Sequence, residues 1–426
     1  MRTANLLPAA RLRSLQALGI FCGFAAGAWL GGAEAPIKLV SPAISPITVS
    51  LIMVCGVFLA RWSVPAFIRG TSHLRGDIRQ APHLIVWSVL AGCMWAVANT
   101  LTIYAIRDVG LSIAFPLWNT NSLLGILWGF LLFHELRSAG WKRWCGVLGG
   151  AVCMFAGAAL LAIASSHQAA PGKAALGVLA ALGAGVLWGT MYIPYRKAYL
   201  SGMNPLSFVT FFTVGELATM TALALVFRGA APLRQELAGA RDVLFWLMLG
   251  GFVWVIGDLF QQYATKYVGI SRGIPLSNTN QLWGLLWGTL VFHELRGGSW
   301  HNFTQVAGGS LLMTLGALAI SLSSATQEEH SSWQYAAERE GHRYQIESEY
   351  VRAGLEGRAY VPASSGRTLL DWILILGATA VFVILAALAR LPALDFSLGW
   401  ALALTAAMLA LLGACGFALW RTTQFR

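Results

Sequence analysis

The chain has 426 residues, of which 57% are hydrophobic and 11% charged, and its mean hydropathy is +0.64. This composition excludes a water-soluble globular domain, because too few charged side chains are available to cover the surface of a chain of this length. The net charge of +11 does not by itself imply nucleic-acid binding, since membrane proteins concentrate Lys and Arg in cytoplasmic loops. We therefore predict an all-α polytopic membrane protein.

Apolar stretches of the length needed to cross a bilayer, about 20 residues each, recur along the chain. The predicted membrane helices lie at residues 15–33, 46–60, 83–106, 110–133, 144–165, 174–194, 206–227, 243–264, 273–292, 303–323, 368–388 and 397–420. Basic residues concentrate in alternate connections, for example Arg61, Arg69, Arg75 and Arg79. This bias predicts an inner-membrane protein with both termini in the cytoplasm. The first segment also fits a cleavable signal peptide, which is the alternative interpretation.

The chain contains an internal repeat with one constant offset. Phe115–Arg137 returns without a gap as Ile274–Arg296, with most positions identical, and the same offset pairs Trp95 with Trp254. The identities include Asn, Thr, His, Glu and Arg, so shared hydrophobicity does not explain them and duplication does. The predicted organisation is a first five-helix repeat at 1–165, a second at 174–325, a linker at 326–366 and a two-helix hairpin at 367–426.

The repeat unit contains an odd number of helices, so its two copies must cross the membrane in opposite directions. Inverted repeats of this kind can exchange conformations, which opens a central cavity first to one side of the membrane and then to the other. The repeat therefore predicts a ten-helix transporter bundle, to which the C-terminal hairpin is added.

The segment Tyr267–Arg296, YVGISRGIPLSNTNQLWGLLWGTLVFHELR, has a tyrosine, an aliphatic-Gly-aliphatic-Ser step and a proline leading into the ninth helix, which ends at a His-Glu pair. Together with the five-plus-five duplication, this segment resembles the glucose/ribose porter family of sugar transporters in the drug/metabolite transporter superfamily. The resemblance covers residues 10–325 and implies a carrier of sugars. The chain departs from the family pattern in its Asn-Thr-Asn segments, where a Ser-Thr-Gly type is expected, and in the added hairpin.

The two Asn-Thr-Asn segments follow Pro116 and Pro275 inside helices four and nine. Each proline leaves carbonyl groups of the preceding turn without a backbone donor. Either the polar side chains repair this broken turn, or their amides bind substrate hydroxyls, since an amide both donates and accepts hydrogen bonds. The candidate binding residues are Asn119, Thr120, Asn121, Asn278, Thr279, Asn280 and Gln281, together with Asn99 of helix three.

The chain contains 18 tryptophans, and many of them are expected in the aromatic belts at the membrane interfaces. Those predicted to lie well inside helices three, four, six, eight and nine are Trp95, Trp128, Trp188, Trp254 and Trp287. An indole can cover the C–H face of a sugar ring while amides bind its hydroxyls. Ordinary helix packing explains any one of these residues equally well.

Asp258 lies near the middle of helix eight, where its repeat partner is the neutral Asn99. Ionisable groups at membrane depth are costly and commonly functional, and a buried carboxyl is suited to binding and releasing a proton. Asp258 is therefore the first candidate for ion coupling, Glu216 the second and Glu34 the third. The alternative is a structural salt bridge to Arg196, Lys197 or Arg272.

The motif His134–Arg137 and its copy at 293–296 lack the second histidine of a zinc-protease helix. Glu135 and Glu294 are predicted to pair with neighbouring arginines where the helices meet water. The sequence predicts no catalytic residues, no cofactor and no metal ligands, so an enzyme is not expected.

Residues 326–366 change to mixed charges and tyrosines. They predict one amphipathic helix on the membrane or at the cytoplasmic mouth, followed by a turn at 362–366. The hairpin that follows has few polar residues, which suits packing or a homodimer.

Taken together, these features predict a secondary active transporter of a small polar solute, a monosaccharide first, driven by a proton or sodium ion. Its surroundings are the lipid bilayer, and nucleic acid is not a predicted partner. Two alternatives remain open, a drug or metabolite exporter and a membrane scaffold or signalling protein that does not transport. Asp258 and the paired Asn-Thr-Asn segments argue against the second.

Overall fold

The computed structural model describes residues 9–33, 35–38, 44–109, 117–136, 140–164, 174–293, 300–323, 327–358, 367–390 and 396–426. Throughout these ranges the regular structure is helical. The helices that run across the bundle are α1 (Ala9–Gly32), α2 (Pro46–Ile68), α3 (His83–Val109), α4 (Asn121–Phe133), α5 (Gly140–Ala164), α6 (Ala174–Leu200), α7 (Pro205–Arg228), α8 (Leu244–Val268), α9 (Ile270–Ser277, continued by Asn280–Leu286 and a π-helical turn, Trp287–Val291), α10 (Trp300–Leu322), α11 (Leu369–Leu388) and α12 (Leu398–Thr423).

Ten of these segments are long and apolar enough to cross a membrane, whereas α4 is short and α9 is interrupted. We call the face where α1 begins and α12 ends the terminal face, since Arg11 donates a hydrogen bond there to the carbonyl of Thr422 at 2.9 Å. The opposite, distal face is where Ser45 donates to Glu236 at 2.6 Å. The helices alternate between the two faces, so the prediction of an all-α polytopic membrane protein is confirmed.

Equivalent helices of the two repeats begin with the same local chemistry. Ser45 caps α2 by accepting from the Thr48 amide, and Pro46 takes the first position. Asn204 caps α7 by accepting from the Leu206 amide at 2.8 Å, again with proline next in the chain. A capping oxygen followed by proline satisfies or removes the amide groups that have no partner at a helix start.

The two five-helix units are related by a pseudo-two-fold axis. Helix α1 packs on α8 as α6 packs on α3, while α5 meets α10, α4 meets α9 and α2 meets α7. The first unit starts at the terminal face and the second at the distal face, an arrangement that an inverted repeat would produce.

Glycines bring these helices together at equivalent points. A Cβ atom at Gly92 would collide with the backbone of Phe212, and one at its repeat partner Gly251 would collide with the backbone of Met53. The close crossings of α3 with α7 and of α8 with α2 therefore depend on the absence of a side chain.

The structure extends α2 beyond its predicted end at residue 60 to Ile68. Arg61, which the charge pattern assigned to a cytoplasmic loop, is consequently buried inside the bundle, with an exposed fraction of 0%. The prediction was wrong because the buried partners of Arg61 lie far away in the sequence. Without them, a single arginine in an apolar stretch indicates the end of a helix.

The linker forms two helices, Gln327–Arg343 and Ser348–Glu356, rather than the single helix predicted. Together these two helices, here called the cap, cover the terminal face. The Trp333 ring lies 4.1 Å from the Arg196 guanidinium, and the Tyr350 hydroxyl donates to Asp77 at 2.5 Å. Burial raises the pKa of the Asp77 carboxyl, although hydrogen bonds from Ser207 and Tyr350 oppose the rise. The predicted turn at 362–366 lies outside the described residues.

The C-terminal hairpin lies on the outside of the ten-helix bundle. Helix α11 packs on α2 and α8, and α12 packs on α1 and on the π-helical end of α9. At the terminal end of α11, Asp371 accepts a hydrogen bond from the Thr71 amide at 2.6 Å. The hairpin thus contacts both repeats.

Candidate functional site: a polar cavity between the repeats

A cavity of about 400 Å³ lies inside the bundle, towards the distal face. Its walls come from both repeats. The lining residues are Leu30, Ala33, Val49, Ser50, Met53, Trp95, Asn99, Thr102, Ile103, Trp118, Asn119, Asn121, Trp188, Met191, Tyr192, Trp254, Gln261, Asn278 and Asn280. None of these described lining residues is charged.

Much of this lining consists of repeat pairs. Asn119 and Asn278 are equivalent, as are Asn121 and Asn280, Trp95 and Trp254, and Thr102 and Gln261. A cavity whose opposite walls are equivalent residues must lie on the pseudo-two-fold axis.

In each Asn-Thr-Asn segment the threonine and the asparagines have different contacts. The hydroxyl of Thr120 donates to the Leu117 carbonyl and that of Thr279 to the Leu276 carbonyl, each at 2.8 Å. The threonines thus bond to carbonyls that follow each proline, not to those of the turn before it, which was the predicted repair. The asparagines on either side of each threonine line the cavity instead.

Some polar atoms of the lining residues are hydrogen-bonded and others are not. Asn278 donates to Asn121 at 3.0 Å, and Asn99 donates to Ser50 at 2.5 Å. Among the described residues, the side-chain amide nitrogen of Asn119, the amide oxygen of Asn280 and the indole nitrogen of Trp188 have no hydrogen-bond partner. These three atoms are buried, so the residues line the chamber without presenting these atoms at its surface.

Indole rings form two groups in the wall. Trp95 and Trp254, one from each repeat, meet edge to face with ring centroids 4.9 Å apart. Trp118 and Trp188 meet in the same manner at 5.8 Å. These geometries are favourable aromatic contacts, and they hold the rings of the lining in fixed orientations.

The structure does not bring every candidate to the cavity. Thr120, Thr279, Gln281, Trp128 and Trp287 are absent from its lining. Trp287 packs beside the core of α1 and α12, and Trp128 beside the core around α6 and α7. Asn99, Trp95, Trp188 and Trp254 do line it.

The two described coupling candidates lie next to the cavity but outside its lining. Asp258 pairs with Arg61 at 2.8 Å, and Glu216 lies 3.7 Å from the same guanidinium, with all three side chains fully buried. The expected structural partners of Asp258 were wrong, since Arg196, Lys197 and Arg272 pair elsewhere and Arg61 takes that place. Glu34 lies outside the described residues.

Glu135 is not the water-exposed boundary residue that the sequence predicted. It is fully buried, pairs with Arg196 at 3.1 Å and accepts hydrogen bonds from the backbone amides of Ile270 and Ser271 at 3.2 and 2.9 Å. A carboxylate at this position satisfies the unpaired amides at the start of α9. Glu294, its repeat copy, lies outside the described residues.

Sequence reasoning missed several lining residues. Thr102 and Gln261 are polar, equivalent in the two repeats and one helical turn beyond Asn99 and Asp258, so the repeat offset could have identified them. Trp118 gave no such signal, because its repeat partner is Ser277. Within the described ranges, no group of three His, Cys, Asp or Glu side chains is close enough to bind a metal ion.

Comparison with known proteins gives a consistent result. A family model described as Sugar transport protein matches residues 47–164 and 179–348, more than half of the chain. A Streptococcus pyogenes serotype M1 protein, named as a proposed sugar uptake protein, is 35% identical over 129 residues, which cover 30% of this chain and 39% of that protein's length. A Listeria innocua serovar 6a protein with the same kind of name is 22% identical over 237 residues, 55% of this chain and 77% of its own.

One solved crystal structure, described only as a protein, aligns with 71% of this chain and 96% of its own length. The sequence identity is 16% and the TM-score 0.45. A likeness of this size is too weak to bear on fold or function.

Proposed function

Because this chain belongs to the Sugar transport protein family, we propose that it is a secondary active transporter that carries a monosaccharide across the membrane by alternating access. The observation that carries the proposal is the chamber between the repeats, whose described lining residues are uncharged and include equivalent amides and indoles from both repeats. A chamber shared by inverted repeats is the expected place for a carried solute.

The chemistry of the lining favours a neutral polyol. Asn119, Asn280 and Trp188 contribute amide and indole groups to the lining, and a sugar presents hydroxyls that both donate and accept hydrogen bonds. The Trp95 and Trp254 rings supply apolar surface for the C–H face of a sugar ring. An ionic substrate would find no opposite charge among the described lining residues.

Alternating access requires a barrier on one side of the chamber at a time. The aromatic side chains of Tyr195, Tyr199, Phe208 and Phe212 are buried and packed against one another between the chamber and the terminal face. We propose that this aromatic barrier opens in the opposite conformation, while the helix ends at the distal face close.

A proton is the proposed coupling ion, with Asp258 and Glu216 as the coupling groups. Both carboxyls are fully buried next to Arg61, whose guanidinium lies 5.3 Å from the ring of the lining residue Trp254. Ionisable groups at this depth need a functional reason or a charge partner. Sodium is the alternative ion and would remove the dependence on pH while leaving a dependence on sodium.

The proposed location is the inner membrane, with the terminal face in the cytoplasm. Exposed basic residues on that face include Arg13, Arg75 and Arg352, and basic residues favour the cytoplasmic side. The test uses a cysteine-free variant carrying either Arg352→Cys or Arg234→Cys in intact cells. A membrane-impermeant maleimide should label position 234 on the distal side and not position 352, and the reverse pattern would invert the orientation.

The proposed substrate class is tested with the purified full-length protein. D-glucose and D-ribose should raise its thermal unfolding temperature, and proteoliposomes should show counterflow of the sugar that stabilises it. Trp254→Ala should abolish the stabilisation, whereas Trp141→Ala, a change at an 81% exposed tryptophan of α5, should not. Stabilisation by lipophilic drugs alone would indicate an exporter, and a protein that responds to no solute would indicate a scaffold.

A further inference from the structure

Three buried charged side chains of the bundle interior form a cluster behind the cavity wall. Arg61 on α2 meets Asp258 on α8 at 2.8 Å and Glu216 on α7 at 3.7 Å. Its guanidinium lies against the rings of Phe212 and Trp254, at 4.0 and 5.3 Å. Trp254 lines the cavity, so its indole separates a ligand in the chamber from the charge cluster.

This cluster breaks the internal symmetry of the chain. The constant repeat offset aligns α2 with α7 through Pro46 with Pro205 and Gly56 with Gly215. Under this alignment every charged residue of the cluster corresponds to a neutral residue in the other repeat. The pairs are Arg61 with Met220, Glu216 with Val57, and Asp258 with Asn99. A bundle of this fold therefore accommodates neutral side chains at all three places, and the charges are not required by packing alone.

Asp258 has the partners of a permanently ionised carboxylate. Besides the 2.8 Å contact with Arg61, both of its oxygens lie 3.3 Å from the side-chain amide nitrogen of Gln262. Hydrogen bonds from charged and neutral donors stabilise the ionised form of a buried carboxyl. Asp258 and Arg61 thus compensate each other.

Glu216 has no such partners. Neither of its carboxyl oxygens accepts a hydrogen bond from any described residue, and the 3.7 Å to Arg61 exceeds hydrogen-bond length. The charged groups near it are Arg61 of α2 and Asp258 of α8, and the Cys93 thiol of α3 lies 3.8 Å from the carbonyl of the adjacent Gly215. An ionised carboxylate without donors is costly to bury, whereas its protonated form leaves the cluster neutral.

We propose that Glu216 carries the exchangeable proton of the transport cycle, while Asp258 is the fixed counter-ion of Arg61. This assignment rests on the proposed proton coupling, and it gives Glu216 and Asp258 different roles in that coupling. Release transfers the Glu216 proton to water and leaves a carboxylate. Arg61 then has to compensate the charge of both carboxylates. Its guanidinium must therefore approach Glu216, which weakens its contact with Asp258.

Arg61 is accordingly a positioning residue that connects protonation with the chamber. A movement of its guanidinium towards Glu216 removes the cation from behind the Trp254 ring, where it is held by the attraction between a cation and an aromatic face. Trp254 and its repeat partner Trp95 form the inner wall of the chamber. Protonation of Glu216 would therefore alter the surface that a sugar meets.

The test compares Glu216→Gln and Asp258→Asn in proteoliposomes loaded with D-glucose, or with D-ribose if ribose stabilises the protein better. In the wild type, an inward gradient of one pH unit should drive accumulation of up to about tenfold for one proton per sugar. Glu216→Gln should reduce this accumulation ratio to about one while sugar counterflow continues and no longer varies with pH. Asp258→Asn should lose both activities, because it leaves Arg61 buried without its counter-ion.

A triple variant replaces the cluster with the neutral residues that occupy the equivalent positions of the other repeat. Arg61→Met, Glu216→Val and Asp258→Asn together install the residues of the other repeat, so it should fold if the single variants do not. It should exchange sugar without any response to a pH gradient. A pH-sensitive dye should also detect proton release or uptake on sugar binding by the wild type and none by Glu216→Gln.

Accumulation that persists in Glu216→Gln but disappears in Asp258→Asn, with counterflow retained, would overturn the assignment and leave proton coupling in place. A wild type that exchanges sugar but never responds to pH would instead refute the proton coupling on which the assignment rests. The control Thr314→Ala, at an exposed position on α10, should match the wild type in both assays.

Discussion

The side-chain amide of Asn278 on α9 donates a hydrogen bond to the amide oxygen of Asn121 on α4 at 3.0 Å. The two residues belong to different repeats, and the bond crosses the pseudo-two-fold axis at the wall of the cavity. Asn278 also donates to the Ser122 hydroxyl at 2.6 Å. Helices α4 and α9, one from each half, are thus joined directly at the proposed binding site.

Replacing Asn278 with alanine should weaken sugar binding. The change removes both donations across the axis and leaves the Asn121 oxygen without this partner, a loss of about 1–3 kcal/mol per unsatisfied group. We expect the KM for counterflow to rise about tenfold, measured with radiolabelled sugar in proteoliposomes. Thr289→Ala, on the same helix but outside the lining, should change KM less than about twofold. Equal effects of both changes would locate the binding site elsewhere.

Replacing Glu135 with glutamine should destabilise the fold. The substitution leaves Arg196 buried without its counter-ion and turns an amide group towards the backbone donors of Ile270 and Ser271. Breaking one partner of a buried ion pair costs about 3–5 kcal/mol. Denaturant unfolding in detergent should show this loss, while Glu338→Gln, on an exposed part of the cap, should leave stability unchanged. An unchanged unfolding midpoint for Glu135→Gln would contradict the role assigned to the pair.

Contacts of Glu236 at the distal face should make the stability of the protein depend on pH in the acid range. Partial burial opposes ionisation, but hydrogen bonds from Ser45, Thr48 and Arg228 prevail and lower the pKa of this carboxyl from 4.5 to about 2. A group whose pKa falls on folding contributes stability that is complete above its unfolded value and lost as the pH falls towards its folded value.

The wild type should therefore be more stable than Glu236→Gln above pH 4.5, and the difference should disappear as the pH falls towards 2. Thermal unfolding of both proteins across this pH range measures the difference in stability directly. The contributions of the other carboxyl groups are the same in both proteins and cancel. A gap that stays constant down to pH 2 would show that the Glu236 contacts do not depend on its charge.

Replacing Gly215 with alanine should separate α7 from α3. A Cβ atom there would collide with the backbone of Val89, which cannot move as a flexible side chain can. Overpacking of this kind costs about 1–3 kcal/mol. At Gly149 on α5 a Cβ atom would meet nothing within 4 Å, so Gly149→Ala should be neutral or stabilising by up to about 1 kcal/mol. If thermal unfolding responds equally to both changes, the close crossing is not what fixes the helices.

Much of the architecture followed from the sequence alone. Apolar stretches of membrane-spanning length predicted the helices, and the constant repeat offset revealed both the duplication and, through the odd helix count, its inversion. The offset also identified equivalent residues such as Asn119 and Asn278 that line the cavity together. These inferences were possible because hydrophobicity, length and repetition are properties that a linear sequence records.

The pairing of charges was decided by the tertiary structure alone. Arg61 and Asp258 are 197 residues apart, and Glu135 and Arg196 also come from different repeats, so neither pair leaves a local pattern. In the sequence, Arg61 resembles the end of a helix and Glu135 resembles a boundary residue. A charge in an apolar stretch can be stabilised by water or by a distant opposite charge, and only the fold determines which of the two it meets.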